Sequence, residues 1–241
     1  MEKKTKVLLT DLSYLNHNYG AQGISFSFMN KLNGYIDAEY VFVLPKKHYK
    51  ENFLFAKNNY FNIVCNSGEN FFLERGSVFF FLYKIIYFLK KRKTITKKEE
   101  RIYLKLIETI KKSDIIVDLS GIEFIGNRGL KTKWLDYLKT IFFQRLSHKL
   151  KKPYFKYTKS YGPISGKIYT FFVKRKLKKL PFIFVRGRDN LEEIKKLKLK
   201  VPLYSFPDVS IALRPADKNW AVDYVKKIGI DVSKPIIGIS P

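Results

Sequence analysis

Four short stretches place polar and charged side chains among glycines, each just past an apolar run. "DIIVDLSGIEFIGNRG", residues 114–129, sets Asp118, Ser120, Gly121 and Glu123 at or beyond a predicted strand end. A carboxylate there can take the proton of a sugar hydroxyl or hydrogen-bond it. The alternative is that Asp118 caps its own turn through its side chain. "FVRGRDN", residues 184–190, sets Arg186 and Arg188 at another strand end, with a helix N-terminus expected at Asp189 or Asn190. Guanidinium groups beside a helix N-terminus form an anion site. "FPDVS", residues 206–210, supplies Asp208, which caps a turn or binds. "NHNYGAQG", residues 16–23, holds His17, Asn18, Gly20 and Gln22. It exceeds the two to five residues or so of a plain turn, so it reads as a loop that lets a ligand approach the backbone.

Other chemistries lack their residues. His17, His48 and His148 lie far apart, and Cys65 is the single cysteine; neither a metal-ligand set nor a disulfide follows. No phosphate-binding P-loop and no GxGxxG run occurs, so no cofactor is expected. Cys65 within "NIVCNS" reads as a small buried residue, and His148 as a surface residue of a basic helix. A chain with one cysteine suits the reducing cytoplasm.

These turns need elements to hold them. Apolar runs at residues 6–12, 38–45, 60–67, 113–121, 181–187 and 201–210 read as strands, with a further short strand from residue 153 and a last one at 235–241. Between them fall helical stretches at 24–34, 76–93, 97–112, 130–150, 167–179, 189–199 and 215–229. Alternation of this kind predicts an α/β fold, a Rossmann-like, mostly parallel sheet with helices on both faces. Ligands bind such sheets outside the carboxyl ends of the strands. All four chemistry-bearing stretches are expected on that edge.

The formal net charge of +26 attracts anions over long range. It is either a lysine-rich solvated surface, as an A/T-rich genome would write it, or a field serving polyanions, phosphorylated substrates or anionic lipid. The basic residues are spread over nearly every helix, and no nucleic-acid-binding signature appears, so nucleic acid is not an expected partner. Residues 78–89 are apolar, interrupted by Lys84 and followed by "KKRK". The run is shorter than the roughly twenty residues of a membrane span. It reads as a core helix or as a helix on an anionic membrane surface. The N-terminus has neither the apolar length nor the cleavage site of a signal peptide. The expected location is the cytoplasm, with peripheral attachment to the inner face of the cell membrane as its extension.

The chain resembles the polysaccharide pyruvyl transferase family. The likeness is carried by "NYGAQ" (18–22), "DIIVDLSGIEFIGNRG" (114–129), "YGPI" (161–164), "VRGRDN" (185–190) and "FPDVSIAL" (206–213), in that order, with "IIGISP" at the end. The resemblance implies the N-terminal half of an architecture like that of GT-B glycosyltransferases. It divides the chain into a Rossmann-like domain over 1–233 and the first strand of a second domain over 234–241. It implies transfer of a pyruvyl group from phosphoenolpyruvate to a sugar of a cell-surface glycan or its lipid-linked precursor. The acceptor side falls to Asn18, Gly20, Asp118 and Glu123, the last two as catalytic carboxylates. The family's donor-binding residues are expected in the second half, so a complementing C-terminal half is an implied partner. Where the family pattern has Arg-Glu-x-x-Ser, this chain has Arg186, Gly187, Arg188, Asp189 and Asn190. Two other readings stand beside this one: a non-catalytic glycan- or membrane-binding remnant, and a nucleotide-sugar glycosyltransferase on the same architecture.

Overall fold

The computed structural model describes residues 4–11, 19–43, 97–157, 159–213 and 215–238. His17, Asn18, His48, Cys65, the strand expected at 60–67 and the helix expected at 76–93 lie outside these residues.

β1 (Thr5–Thr10) carries Val7, Leu8 and Leu9, all without solvent contact. A strand apolar at consecutive positions suits a sheet covered on both faces. β1 pairs in parallel with β2 (Ala38–Phe42) on one side and with β3 (Ile115–Asp118) on the other. β3 pairs in parallel with β5 (Tyr154–Lys156), giving the order β2-β1-β3-β5. Both strands then break and resume: β4 (Ile122–Glu123) runs parallel to β6 (Ser160–Tyr161). β7 (Ile183–Arg186) and β8 (Leu203–Phe206) form a further parallel pair. Lys159 ties that pair to the rest, bridging to Val185 and accepting the Arg186 amide at 2.8 Å.

Helices cover both faces, as the alternation of elements implies. On one face Val7, Leu9 and Val117 pack with Ile24, Phe28 and Met29 of α1 (Tyr19–Asn33). On the other, Leu8 and Ile116 pack with Leu106 and Ile110 of α2 (Lys97–Lys112), Ile141 of α3 (Leu130–Lys149) and Val173 of α4 (Lys167–Leu177). The opposite facing of neighbours such as Leu8 and Leu9 is the two-residue period of a strand. α5 (Arg188–Lys195) follows β7 and buries Ile194. A 3-10 turn, Val209–Ala212, follows β8.

Residues up to Ile211 form one compact unit and Ala212–Pro241 a second. The second contains α6 (Lys218–Lys227), whose N-cap Asp217 accepts the Trp220 amide at 2.9 Å. Gly229, at φ 86°, follows its end. Pro235–Gly238, expected to begin a strand, form none.

Two helix starts differ from expectation. α1 begins at Tyr19, not Ile24, so Gly20 and Gln22 lie in its first turn and not in a loop. Glycine costs a helix about 1 kcal/mol relative to alanine, but burial of Gly23, Ile24, Ser25 and Phe28 outweighs that local preference. Ser25 Oγ donates to the Ala21 carbonyl at 2.8 Å, a bond that belongs to a formed helical turn. α5 starts directly after Gly187, which takes φ 80°, a backbone conformation that glycine adopts without a Cβ clash. Neither Asp189 nor Asn190 is its N-cap.

Candidate functional site

The chain leaves β1 toward β2 on one side and returns to β3 on the other. Such a reversal opens a crevice outside the carboxyl ends of the two strands concerned. In register, Thr10 faces Asp118, and Asp11 follows at φ 57°. The breaks between β3 and β4, and between β5 and β6, open beside the same point. There the chain turns a set of charged side chains inward.

Asp118, Lys156 and Lys159 have no solvent contact, and Glu123 is 3% exposed. Asp118 Oδ2 accepts from Lys156 Nζ at 2.9 Å and from the Tyr154 hydroxyl at 2.9 Å. Its Oδ1 accepts from the Ser120 amide at 2.9 Å and from Lys159 Nζ. Glu123 accepts from Lys156 with both oxygens, at 2.7 and 2.8 Å. Its Oε1 also takes the Ser120 hydroxyl at 2.9 Å and faces Lys159 Nζ at 3.2 Å. Lys159 donates to Ser120 Oγ as well. Every charge here has an opposite charge and a hydrogen bond, which is the condition for burying ions.

The carboxyls are driven apart in acidity. Burial alone would raise Asp118, but Lys156 and Lys159 overcome it and hold Asp118 far below the usual carboxylate range. Asp11 moves the other way: burial, then repulsion from Asp118, push it well above its ordinary value. Burial and Asp118 also raise Glu123. Burial would lower Lys156, yet Asp118 and Glu123 hold it above an ordinary lysine. Three carboxyls thus share two ammoniums, and the group least compensated is Asp11. Carboxyls pushed apart by their surroundings are a recurrent basis for separate acid and base roles.

A cleft of about 200 Å³ opens against this cluster. Asp11, Ser120 and Glu123 line it, with Phe124, Arg128 and Thr140. Asp118 and the two lysines lie behind that wall. Among the described residues no set of three His, Cys, Asp or Glu side chains is placed to hold a metal ion; Lys156 and Lys159 are the cations at the centre.

A family model for polysaccharide pyruvyl transferase matches residues 18–238. The chain belongs to the polysaccharide pyruvyl transferase family. No curated protein and no solved structure matches it. The match takes in every element described above except β1.

Within this family member, the structure sorts the residues that the sequence singled out. Ser120, Gly121 and Glu123 meet at the switch point, with Asp118 behind them. Arg186 adjoins Gly121 and makes three bonds there: it donates to the Gly121 carbonyl at 3.0 Å, to Ser160 Oγ at 2.9 Å and to Asp208. Asp208 also accepts the Ser210 amide at 2.9 Å, the capping alternative. Arg188 is exposed at the start of α5. Gly20 and Gln22 sit on α1. Asn190 bridges two strands, accepting the Tyr161 amide and donating to the Arg186 carbonyl, each at 2.9 Å.

Three residues of this cluster escaped the sequence reading: Asp11, Lys156 and Lys159. A signal for Asp11 exists. "DLS" occurs at residues 11–13 and again at 118–120, at the ends of the two strands that flank the switch point. The lysines stand three apart in the largely aromatic stretch "YFKYTKSY", residues 154–161, but 47 Lys and Arg residues hide them.

No helix among the described residues is long and apolar enough to cross a membrane.

Proposed function

We propose that this chain takes part in transfer of a pyruvyl group from phosphoenolpyruvate to two hydroxyls of one sugar, on a cell-surface glycan or its lipid-linked precursor. The family match over residues 18–238 carries this reading. The carboxyl–lysine cluster at the switch point supports it as the acceptor wall of a GT-B-like cleft, with the donor against an opposite wall that a complementing C-terminal half would supply. The work is placed in the cytoplasm, where phosphoenolpyruvate is made, with the basic run at 90–93 drawing the protein to the inner membrane face.

The chemistry balances without a cofactor. A proton adds to the methylene carbon of phosphoenolpyruvate, and the first sugar hydroxyl adds to the adjacent carbon, losing its proton. Phosphate leaves from that carbon, and the second hydroxyl adds in its place, losing its own proton. The product is a cyclic ketal and inorganic phosphate. Such a path needs one group to deliver a proton and another to accept one.

Glu123 and Asp11 line the cleft and suit those tasks: Glu123, in contact with two ammoniums, accepts the hydroxyl proton, and Asp11, whose carboxyl is pushed well above its ordinary value, supplies one. Ser120 hydrogen-bonds the acceptor. Lys156 and Lys159 are positioning residues that fix Glu123 and favour its charge, and Asp118 in turn holds the two lysines. Arg188 with the α5 N-terminus is the candidate contact for a donor anion. Arg186 and Asp208 hold the strand ends on which these groups stand.

The test incubates the protein with phosphoenolpyruvate and a glycan or lipid-linked sugar acceptor. It follows phosphate release together with the methyl resonance of a new ketal by proton NMR, with and without a C-terminal family half. Acceptor-dependent phosphate release with a matching ketal signal is the expected result. Turnover of a nucleotide sugar, with no use of phosphoenolpyruvate in any arm, would replace the donor and the reaction.

A further inference from the structure

At the other end of the sheet a larger groove runs between α3 and α4, with a volume of about 840 Å³. Pro153 and Tyr154 at the start of β5 contribute to its lining. Lys152, also in the lining, donates to the Ser113 carbonyl at 2.7 Å, just ahead of β3. The groove therefore reaches the amino ends of the strands, and among the described residues that line it the one that also bonds the carboxyl–lysine cluster is Tyr154, through Asp118.

Its two halves differ in chemistry. Trp134, Leu138 and Phe172 give an apolar wall, with Trp134 and Phe172 in edge-to-face contact at 5.5 Å. Toward the helix ends the lining becomes cationic: Arg145, Lys149, Lys152, Arg175, Lys176 and Lys179, and no carboxylate among the described residues that line it. Cations at helix C-termini are ordinary, since each end carries about half a negative charge. Two helix ends balance roughly one charge, and six cations exceed that several-fold.

A second observation also points to a ligand. Gln144, in the same lining, is 5% exposed. Its Nε2 donates to the Lys176 carbonyl at 2.9 Å, while its buried Oε1 has no hydrogen-bond partner. A buried acceptor left unmatched is costly; Oε1 is shut from solvent as it stands, and a turn of the Gln144 side chain would bring it to a ligand hydroxyl in the groove. The volume lies in the range of small-molecule sites, roughly 300–1,000 Å³.

We infer that the α3–α4 groove is a second binding site, for a phosphate ester with an apolar body. The body lies along Trp134, Leu138 and Phe172, and the phosphate lies among Arg175, Lys176, Lys179 and Lys149. Such an ester is either a soluble phosphorylated compound or the headgroup of an anionic lipid with part of its chains. The site is independent of the proposed reaction and stands or falls separately from it.

The experiment uses the fluorescence of Trp134 in a Trp220→Phe background, since the chain has only these two tryptophans. The protein is titrated with geranyl diphosphate, with inorganic pyrophosphate and with geraniol. Geranyl diphosphate is expected to bind about tenfold or more tighter than either, because each of the others engages one half of the groove. Arg175→Ala combined with Lys179→Ala, both exposed positions, should weaken that binding by about tenfold or more without moving the melting temperature. Flotation with phosphatidylglycerol vesicles identifies the source. Vesicle binding that geranyl diphosphate competes away assigns the site to lipid headgroups; binding of the soluble ester alone assigns it to free esters. Equal affinity for pyrophosphate and geranyl diphosphate, binding unaffected by the double variant, or no binding of any probe would overturn the proposal.

Discussion

Lys156 Nζ lies 2.7 and 2.8 Å from the two carboxylate oxygens of Glu123, and both side chains are shut away from solvent. One residue ends β5 and the other ends β4, so this pair bridges the break in the sheet. With Asp118 beyond it, Lys156 neutralises charge from two elements at once. Removing one member of a buried ion pair leaves the other uncompensated, at a cost of about 3–5 kcal/mol. Lys156→Met is expected to lose about that much in urea unfolding. Lys156→Met with Glu123→Gln should recover part of it, a coupling that a double-mutant cycle reads directly. Additive losses would mean that the two residues do not share one network.

Asp11 and Asp118 should give pH profiles of opposite sign. Asp118 is held below its unfolded value, so its contribution is present above that value and is lost as pH falls through the folded one. Asp11 is held above its unfolded value, so it lowers stability progressively as pH rises from the ordinary carboxylate range. Asp118→Asn is therefore expected to be strongly destabilising at neutral pH, with the difference shrinking toward acid. Asp11→Asn should match the parent protein in acid and equal or exceed its stability at neutral pH. Urea denaturation from about pH 3 to about pH 8 tests both; parallel profiles for the two variants would refute the division of roles.

Arg186 and Arg188, two residues apart, are expected to behave differently. Arg186 bonds a carbonyl, a hydroxyl and a carboxylate through its planar fork, a geometry that lysine cannot reproduce. Arg186→Lys should cost about 1–3 kcal/mol. Arg188→Ala, at an exposed position, should stay within about 0.5 kcal/mol of the parent while weakening phosphoenolpyruvate binding. Thermal melts give the first comparison and donor titration the second.

The fold was legible because its signals are local. The parallel sheet follows from consecutive apolar residues such as Val7, Leu8 and Leu9 alternating with helical stretches, and α2 coincides with the expected span at both ends. The misplaced starts of α1 and α5 have one cause: glycines read as loop markers serve here as a helix interior and as the residue before a helix. Asp118, Ser120 and Glu123 were legible as a site because they cluster in sequence. Lys156 and Lys159 were not, since a lysine reads as surface until a partner is known, and theirs is some 40 residues away, at Asp118. Arg186 reads from the sequence as an anion contact and Asp208 as a cap or a ligand contact; their pairing with each other, between the ends of β7 and β8, becomes visible only once those strands lie side by side.

Gly126 tests the loop that shapes the cleft. A Cβ built there would stand 2.5 Å from the Ser165 amide nitrogen and 2.7 Å from the Pro163 carbonyl oxygen. The Gly126 amide also donates to that carbonyl at 2.7 Å, so neither side can yield without breaking the contact. Gly126→Ala is expected to destabilise by about 1–3 kcal/mol and to disturb Ile125, which lines the cleft. Gly129→Ala is the control, with open space around the new methyl group. Equal melting temperatures for the two variants would show that the loop is free to shift.

Lys176 provides a protonation test of the basic groove. Partial burial first, then Arg145, Lys179 and Arg175, lower it to about 8. The other titratable and charged groups lining the groove are Tyr137, His148 and Lys149 on α3, Lys152 ahead of β5, and Tyr154 on β5. At pH near 8 a substantial share of Lys176 is neutral, and a bound phosphate favours its charged form. Binding should then raise the lysine and draw a proton from solution. Calorimetry with geranyl diphosphate, in two buffers of different ionisation enthalpy, measures that proton directly. Net uptake is expected at about pH 8. It should fade at about pH 6, where an amine with its midpoint near 8 is already charged, and it should be reduced in Lys176→Met. Binding without uptake at either pH would place the phosphate away from Lys176 and move the anion subsite toward Lys149 and Lys152.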